Sequence, residues 1–538
     1  MGTKGVEWSN VQALVMTAFP TLRCAAYVLW RFEATQQCAT ATGIATAPGS
    51  HRRAASEWLW RLCQRVTTAS HVDHIGVPPE RGPGGPAYAE SVAHVKALGE
   101  GKTAAPETWA LNVAFTRSGL AKLGTTEAEL ARFSDEFYEG MAPPPDAEGR
   151  PGRRSSLLGD IDRNSPAHWT WGGWKACNDF DGVLLLYART PASLKRLVAA
   201  ELQAMNGVAA PVWSHFHPDG TPVIPQGRLY KDSLGHFGFS DGISQPVIED
   251  TPLADRMPEP LRDVSVVAPG ELLLGYKDTR DAVVSFKDPR DRQARDLAKN
   301  GTYLVVRQLR QDVPEFRRFV GEAARAVCGR DDRKSRAWIA GKLLGRKPAG
   351  DPLIPPASNL RDPEARRNAF RYDAEDHDGL ACPIGSHIRR ANPRDTIGPD
   401  PETALRLSRM HRILRRGRPY GPMLREHGTK GRDADRGLFF ICLNASLAGQ
   451  FELVQHSWVN NPQFKELNGE VDPLSHVAAD TFTVQSRPAN IRLSGRKPFV
   501  QVVGGAYFFL PGLNAMRALS EAGLALGTGP EASDPEQG

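Results

Sequence analysis

A chain of 538 residues, 41% hydrophobic and 24% charged, has the profile of a soluble globular protein large enough for two or more domains and for a core that encloses a cofactor. Its net charge of +6 is the small difference between 67 basic and 61 acidic residues, which excludes a protein held to nucleic acid or membrane by bulk charge. Seven dispersed cysteines without a C-x-x-C pair exclude a disulfide or zinc framework, and no run approaches the ~20 apolar residues that span a bilayer.

In chain order, Met1–Trp8 lacks an apolar signal core and an early twin arginine, so the expected location is cytoplasmic, without a lipid anchor. Short apolar or alternating runs predict strands at Val11–Met16, Ala26–Phe32, Trp109–Phe115 and Val183–Ala188, and helical spacing predicts helices at Glu127–Glu139 and Pro191–Asn206. After about residue 260 the order repeats, with strands at Glu271–Tyr276, Thr302–Val306, Gly437–Leu443 and Phe499–Val503 and helices at Pro314–Cys328 and Leu447–Asn460. Strands and helices mix without strict alternation, which predicts an α+β fold of two sandwiches, each an antiparallel sheet covered by helices. Glycine, proline and charge concentrate at Ala45–Ala54, Pro78–Pro86, Ala142–Arg154, Lys347–Ala365 and Thr396–Glu402, which read as surface loops. The expected domains are 1–260, with an insertion near 40–100, and 261–525, followed by a disordered tail over 526–538.

Three segments carry chemistry. Within Gly235–Pro246, the run Gly238-Phe239-Ser240-Asp241-Gly242 fixes one carboxylate between two glycines and beside apolar residues. Such an acid can act on a proton, although the same residues also read as an Asp-Gly hairpin turn. Cys382–Asp395 joins His387 to a dense arginine cluster, and His411–Gly421 brings a second one. A neutral imidazole can ligate haem iron and arginines can pair with haem propionates, yet each alone also reads as a structural histidine or a solvated basic face. Together they supply an acid, a metal ligand and a cation, the parts a peroxidase needs.

On these residues the chain resembles the dye-decolourising (DyP-type) haem peroxidase family. Gly238–Gly242 matches its G-x-x-D-G, Cys382–Asp395 its histidine segment, Ile413–Gly421 its arginine segment and Arg436–Ile441 its distal strand, and the likeness runs from Val11–Phe32 to Phe499–Gly512. It implies two ferredoxin-like sandwiches, with haem b held mainly by the C-terminal one. By position, His387 is the implied proximal iron ligand, Asp241 the distal acid–base residue and Arg415 its cationic partner, while the Arg416 side chain should point elsewhere. Arg390 is an implied cofactor contact, and Asp472, with Glu470 as the alternative, is the implied acceptor for the second His387 N–H. Leu438 and Phe440 are implied to line the distal side, and period-2 alternation sets them, with Cys442, on the face away from Phe439 and Ile441. Tyr420 and Trp458 fall at positions of redox-active aromatics near the surface, which serve dyes too bulky to reach the haem. Trp458 also ends a Leu447, Phe451, Val454, Trp458 stripe that reads as a buried helix face.

The implied reaction reduces hydrogen peroxide and oxidises small or bulky organic reductants. Asp241 would move a proton from the inner to the outer peroxide oxygen, and Arg415 would stabilise the charge that develops, contributing roughly 3 kcal/mol. A carboxylate base must be ionised to accept a proton, so activity is expected to favour acidic or mildly acidic pH. No nucleic-acid or membrane partner is expected, and self-association of the chain is left open. Four other readings are weaker. Cys382 as a thiolate ligand is followed by proline without a glycine-rich loop, and His236 stands too near Asp241 to hold the opposite haem face. Arg436–Leu443 only partly mimics an RNA-recognition strand, lacking its small residue and final aromatic. Haem handling or iron release without peroxidase turnover uses the same residues and separates only by experiment.

Overall fold

The structure, a computed structural model, describes residues 5–33, 49–71, 109–174, 179–212, 224–286, 297–356, 359–424 and 434–525. Within them lie strands β1 (Cys24–Phe32), β2 (Trp109–Phe115), β3 (Gly182–Ala188), β4 (Ala209–Pro211), β5 (Gln226–Arg228), β6 (Val247–Ile248), β7 (Val266–Val267), β8 (Thr302–Gln311), β9 (Leu414–Arg415), β10 (Arg418–Tyr420), β11 (Gly437–Asn444), β12 (Phe482–Val484), β13 (Ile491–Leu493) and β14 (Val500–Leu510). Ten of these form one sheet in the order β10-β11-β8-β14-β2-β3-β1-β4, with β5 added to β1 and β9 to β11. The strand pairs of this sheet are antiparallel, and helices cover it, so the fold is α+β as expected.

The two expected sheets are joined edge to edge. Phe509 of β14 pairs with Phe115 of β2, and farther along the same edge Thr170 N donates to Val503 O at 2.7 Å. Strands β1, β2 and β3 are apolar except for Arg31 and Asn112 because both faces are largely covered, which is why they read as continuous runs. Trp30, Leu184 and Leu186 pack into one apolar cluster, while Tyr27, Leu185 and Tyr187 pack into another.

The helix Pro191–Met205 starts where the Thr190 hydroxyl accepts from Ser193 N, with proline at its first position, and buries Leu194, Leu197 and Met205. Val313–Cys328 is capped by Asp312 and ends at Gly329 in the left-handed region. Glu127–Glu139 breaks into Glu127–Leu130 and Asp135–Glu139, because Thr126 and Ser134 each cap a separate start. Leu447–Asn460 is helical but π-helical, in the segments Leu447–Glu452 and Val454–Val459.

Two expected strands are absent. Val11–Met16 contains a 3-10 turn at Ala13–Val15, and Glu271–Tyr276 follows a 3-10 turn at Pro269–Glu271. Leu14, Leu272 and Leu273 are fully buried, so these apolar runs fill the core without strand geometry, an ambiguity that short runs always carry. Part of the expected insertion is helical: Gly49–Cys63 packs on the C-terminal helix Leu513–Ala525, where a Cβ on Gly523 would strike the Ser56 hydroxyl. Residues 40–48 and 72–100 and the expected tail at 526–538 lie outside the described residues. No helix among the described residues is long and apolar enough to cross a membrane.

Candidate active site

One wall of a cavity of about 340 Å³ is the sheet of the second half. Antiparallel pairing sets Arg307 opposite Phe440 and Leu309 opposite Leu438, with Val502 opposite Leu309 on the other side. Directly opposed residues share a face. Arg307, Leu309, Leu438, Phe440, Val500 and Val502 line the cavity, while Phe439 packs on Tyr27 on the reverse face.

The Asp241 segment forms another wall. Gly235 N donates to Phe239 O at 2.8 Å, Asp241 N to Ser233 O at 3.0 Å and Ser240 N to Pro348 O at 2.9 Å, which ties a tight loop to the body of the protein. Gly238 and Gly242 have φ of +86° and +82°, conformations that disfavour a side chain. The turn and the placed acid are therefore one structure. Arg415 Nη1 donates to Asp241 Oδ1 at 3.2 Å, its Nη2 to Ile243 O at 2.8 Å, and its backbone N–H to Gln245 Oε1 at 3.0 Å. The Arg415 and Asp241 side chains are 36% and 46% exposed, so their pairing adds at most about 1 kcal/mol to stability. Arg416 turns away and donates to Leu14 O and Val15 O.

His387 opens the short helix His387–Ala391 and lines the same cavity. Its Nδ1 stands 2.8 Å from Asp472 Oδ2, and Asp472 is fully buried. The other Asp472 oxygen accepts from Leu474 N, Ser475 N and the Ser475 hydroxyl. Burial alone would raise the pKa of Asp472, but the His387 charge and these donors outweigh it and hold the carboxyl far below its ordinary range. Burial pushes His387 down and Asp472 more than restores it, so the imidazole is raised overall. An ionised carboxylate can only accept, so Nδ1 carries a proton in either charge state; in the neutral ring Nε2 holds the lone pair, and it has no hydrogen-bond partner among the described residues. Glu470, the alternative acceptor, instead binds Thr483 N and hydroxyl.

Asp472→Asn is expected to weaken cofactor retention by about 10–100-fold, measured by cofactor titration of the apoprotein. In the cofactor-free protein, the depressed carboxyl contributes stability that is present above about pH 4 and fades as the pH falls. The stability gap between wild type and Asp472→Asn in urea should shrink accordingly on acidification.

Several expected residues sit elsewhere. Arg390 is fully buried and does not line the cavity: its guanidinium donates to the carbonyls of Trp458, Asn461 and Glu470 and lies over the Phe464 ring. Tyr420 and Trp458 are each 7% exposed, so neither is a surface ring. Tyr420 packs against Phe439, and Trp458 lies edge-on to His411, at the end of the apolar stripe that sequence spacing indicated.

The cationic lining comes from Arg346, which sequence reasoning missed, and from Arg394 and Arg412, which it reached only as members of two arginine clusters. Each is buried and held by oxygen acceptors, Arg346 by Gly350 O and Asn368 Oδ1, Arg394 by Asn368 O and Phe370 O, and Arg412 by Val264 O and Ser244 O. None makes an ion pair among the described residues. Burial and the neighbouring guanidiniums push Arg412 down to about 9 and Arg346 to about 10. The motif His411–Gly421 signalled Arg412, but nothing in the sequence separated Arg394 from Arg390.

Arg307 and Asp160 form a buried ion pair on the sheet wall, 4% and 1% exposed. Burial raises Asp160 to about 6 against the pull of Arg307. Arg307→Leu would strand that carboxylate, so a loss of about 3–5 kcal/mol is expected in denaturant unfolding, with Arg307→Leu/Asp160→Leu recovering much of it.

The cavity thus combines one histidine with a free Nε2, an apolar sheet wall and three uncompensated guanidiniums. No group of three or more His, Cys, Asp or Glu among the described residues could hold a bare metal ion. A cofactor that brings its own equatorial ligands, a flat apolar body and an anionic edge fits these residues, as haem does.

Comparison with known proteins agrees. Residues 273–486 match the family model for the C-terminal part of Dyp-type peroxidases. The chain is 28% identical over 458 residues to a dye-decolorizing peroxidase of Mycena epipterygia, spanning 77% of this chain and 76% of that protein. It is 32% identical over 310 residues to a multifunctional dye peroxidase of an Amycolatopsis species, spanning 54% of this chain and 61% of that one. An ancestral D-type dye decolorizing peroxidase superposes with a TM-score of 0.68 at 23% identity, covering 96% of this chain and 99% of that structure, and so shares its fold.

Proposed function

Since the chain belongs to the DyP-type peroxidase family and is a hydrogen-peroxide-dependent oxidoreductase, we propose that it reduces peroxide at a haem b ligated by His387 while oxidising dyes, phenols or other organic reductants. The observation that carries this reading is the convergence on one cavity of the free His387 Nε2 and the Asp241–Arg415 pair.

Haem, when bound, supplies the iron at which peroxide is reduced and holds the oxidising equivalents. The remaining work falls to side chains. Asp472 fixes the His387 ring and keeps its outward nitrogen basic. Asp241 takes the proton from the inner peroxide oxygen and returns it to the outer one, so that water leaves. Arg415, held by Ile243 O, offers its charge where negative charge develops as the O–O bond breaks. Arg346, Arg394 and Arg412 would hold the propionates, and Leu438 and Phe440 keep water from the reacting oxygens. Residues 1–260 and 261–525 are read as the two ferredoxin-like halves, with the cofactor mainly in the second and the protein acting in the cytoplasm.

Reconstitution tests the reading. The loaded wild type should show a Soret band that shifts within one mixing with peroxide, and His387→Ala should lose it. A stable band with no response to peroxide would instead favour haem handling without turnover, and no band at all would reject the ligand assignment.

A further inference from the structure

Farther along the same face of the sheet, beside the cavity, lies a buried polar cluster that the chemistry above does not use. Tyr507 of β14 is 4% exposed and donates its hydroxyl to Glu452 Oε1 at 2.8 Å. Arg154 Nε donates to the same oxygen at 2.9 Å, and Arg154 Nη1 reaches Glu139 Oε2 at 3.0 Å, on a carboxylate 53% exposed. The cluster touches the cavity through aromatic rings. Phe440 and Phe451 both line the cavity, with ring centroids 6.1 Å apart, and Phe451 lies 6.2 Å from Tyr507.

We propose that Tyr507 is a redox-active residue, which passes one electron by way of Phe451 toward the cofactor while its phenolic proton moves to the Glu452 carboxylate. This rests on the peroxidase reading, since peroxide supplies the oxidant. The step balances: the Tyr507 O–H bond breaks, an O–H bond forms on Glu452, and one electron fills one of the two oxidising equivalents that peroxide leaves. An organic reductant later returns an electron to the ring, and Glu452 returns the proton.

A phenol gives up an electron readily only if its proton can leave at the same time, and a buried phenol has no water to take it. Glu452 is the base within hydrogen-bond reach. Burial, with the Glu452 charge, keeps the Tyr507 hydroxyl protonated well beyond its usual range, and burial also raises Glu452, which makes it a better acceptor. Arg154 keeps that carboxylate charged until the proton arrives, and Glu139 links the cluster to solvent.

The other buried tyrosines are arranged differently. Tyr420 also donates to a carboxylate, but Asp435 Oδ1 lies at 3.5 Å and the ring packs on Phe439, on the face of the sheet turned away from the cavity. The hydroxyls of Tyr27 and Tyr187 have no hydrogen-bond partner among the described residues, and that of Tyr303 accepts from Ser134 N. Tyr372 lines the cavity directly, but its ring lies under Arg389 and its hydroxyl has no carboxylate partner among the described residues.

Freeze-quenched electron paramagnetic resonance of the haem-loaded protein, mixed with one equivalent of peroxide and no reductant, tests the assignment. Wild type should give a tyrosyl signal that narrows on ring deuteration of tyrosine. Tyr507→Phe should lose it, Glu452→Gln should diminish it without loss of the Soret band, and Tyr372→Phe should keep it. A Soret response to peroxide with no tyrosyl signal, or with a signal unchanged in Tyr507→Phe, overturns this inference alone. No Soret response in wild type overturns the peroxidase reading and this inference with it.

Discussion

Asparagine at position 241 is expected to slow peroxide cleavage by about 10²–10⁴-fold, the usual worth of a positioned acid–base group. Asparagine keeps the size of the side chain and an oxygen for the Arg415 and Gly242 donors, so the loop and the Arg415 contact should persist. What disappears is a group able to take a proton and give it back. The loss should fall on the second-order rate of the peroxide step in stopped-flow absorbance, with cofactor binding and the following reductant steps little changed. In wild type that step should be active in mildly acidic solution. A rate that climbs only through neutrality, with a histidine-like midpoint, would move the base away from Asp241, and His236 is the imidazole nearest in sequence. His236 lines the cavity, but its Nε2 is bonded to Tyr420 O at 2.7 Å and burial depresses its basicity.

Arg415→Leu should cost about 10²–10³-fold in the same step, the effect of removing one preorganised donor from a developing charge. Two further losses accompany it, because the guanidinium also positions Asp241 and satisfies Ile243 O. The double variant with Asp241→Asn should therefore lose less than the product of the single losses. Arg415→Lys separates charge from placement: an ammonium keeps the charge but cannot reach Asp241 and Ile243 as a fork, so a rate between wild type and leucine is expected. If lysine matches arginine, position matters little and charge is the whole contribution.

Much of this site was legible because its residues sit in short, chemically unusual runs. A carboxylate between two glycines, a histidine within an arginine cluster and a strand with aromatic alternation each stand out, and period-2 reading put Leu438 and Phe440 on one face. What failed to show did so for physical reasons. Arg390 and Arg394 are both buried guanidiniums that bond backbone carbonyls, and only the fold decides which borders the cavity. Tyr420 and Trp458 looked like surface rings because sequence carries no depth. Asp160 stands far from Arg307 in the chain, and the expected strand stopped at Val306, one residue before its partner. The runs at Val11–Met16 and Glu271–Tyr276 were misjudged because hydrophobicity reports burial before it reports conformation.

The seam where Phe115 meets Phe509 bears on how the chain can be divided. A strand edge offers unpaired N–H and C=O groups to any strand that arrives, and such edges invite aggregation. In the intact chain β2 and residues 170–171 shield one edge of β14, while β14 in turn shields the end of β2. Cutting near residue 260 would bare both at once and leave each fragment with an adhesive border. The halves are therefore better regarded as mutual chaperones than as separable modules, and co-expressed fragments should become soluble only when each finds the other.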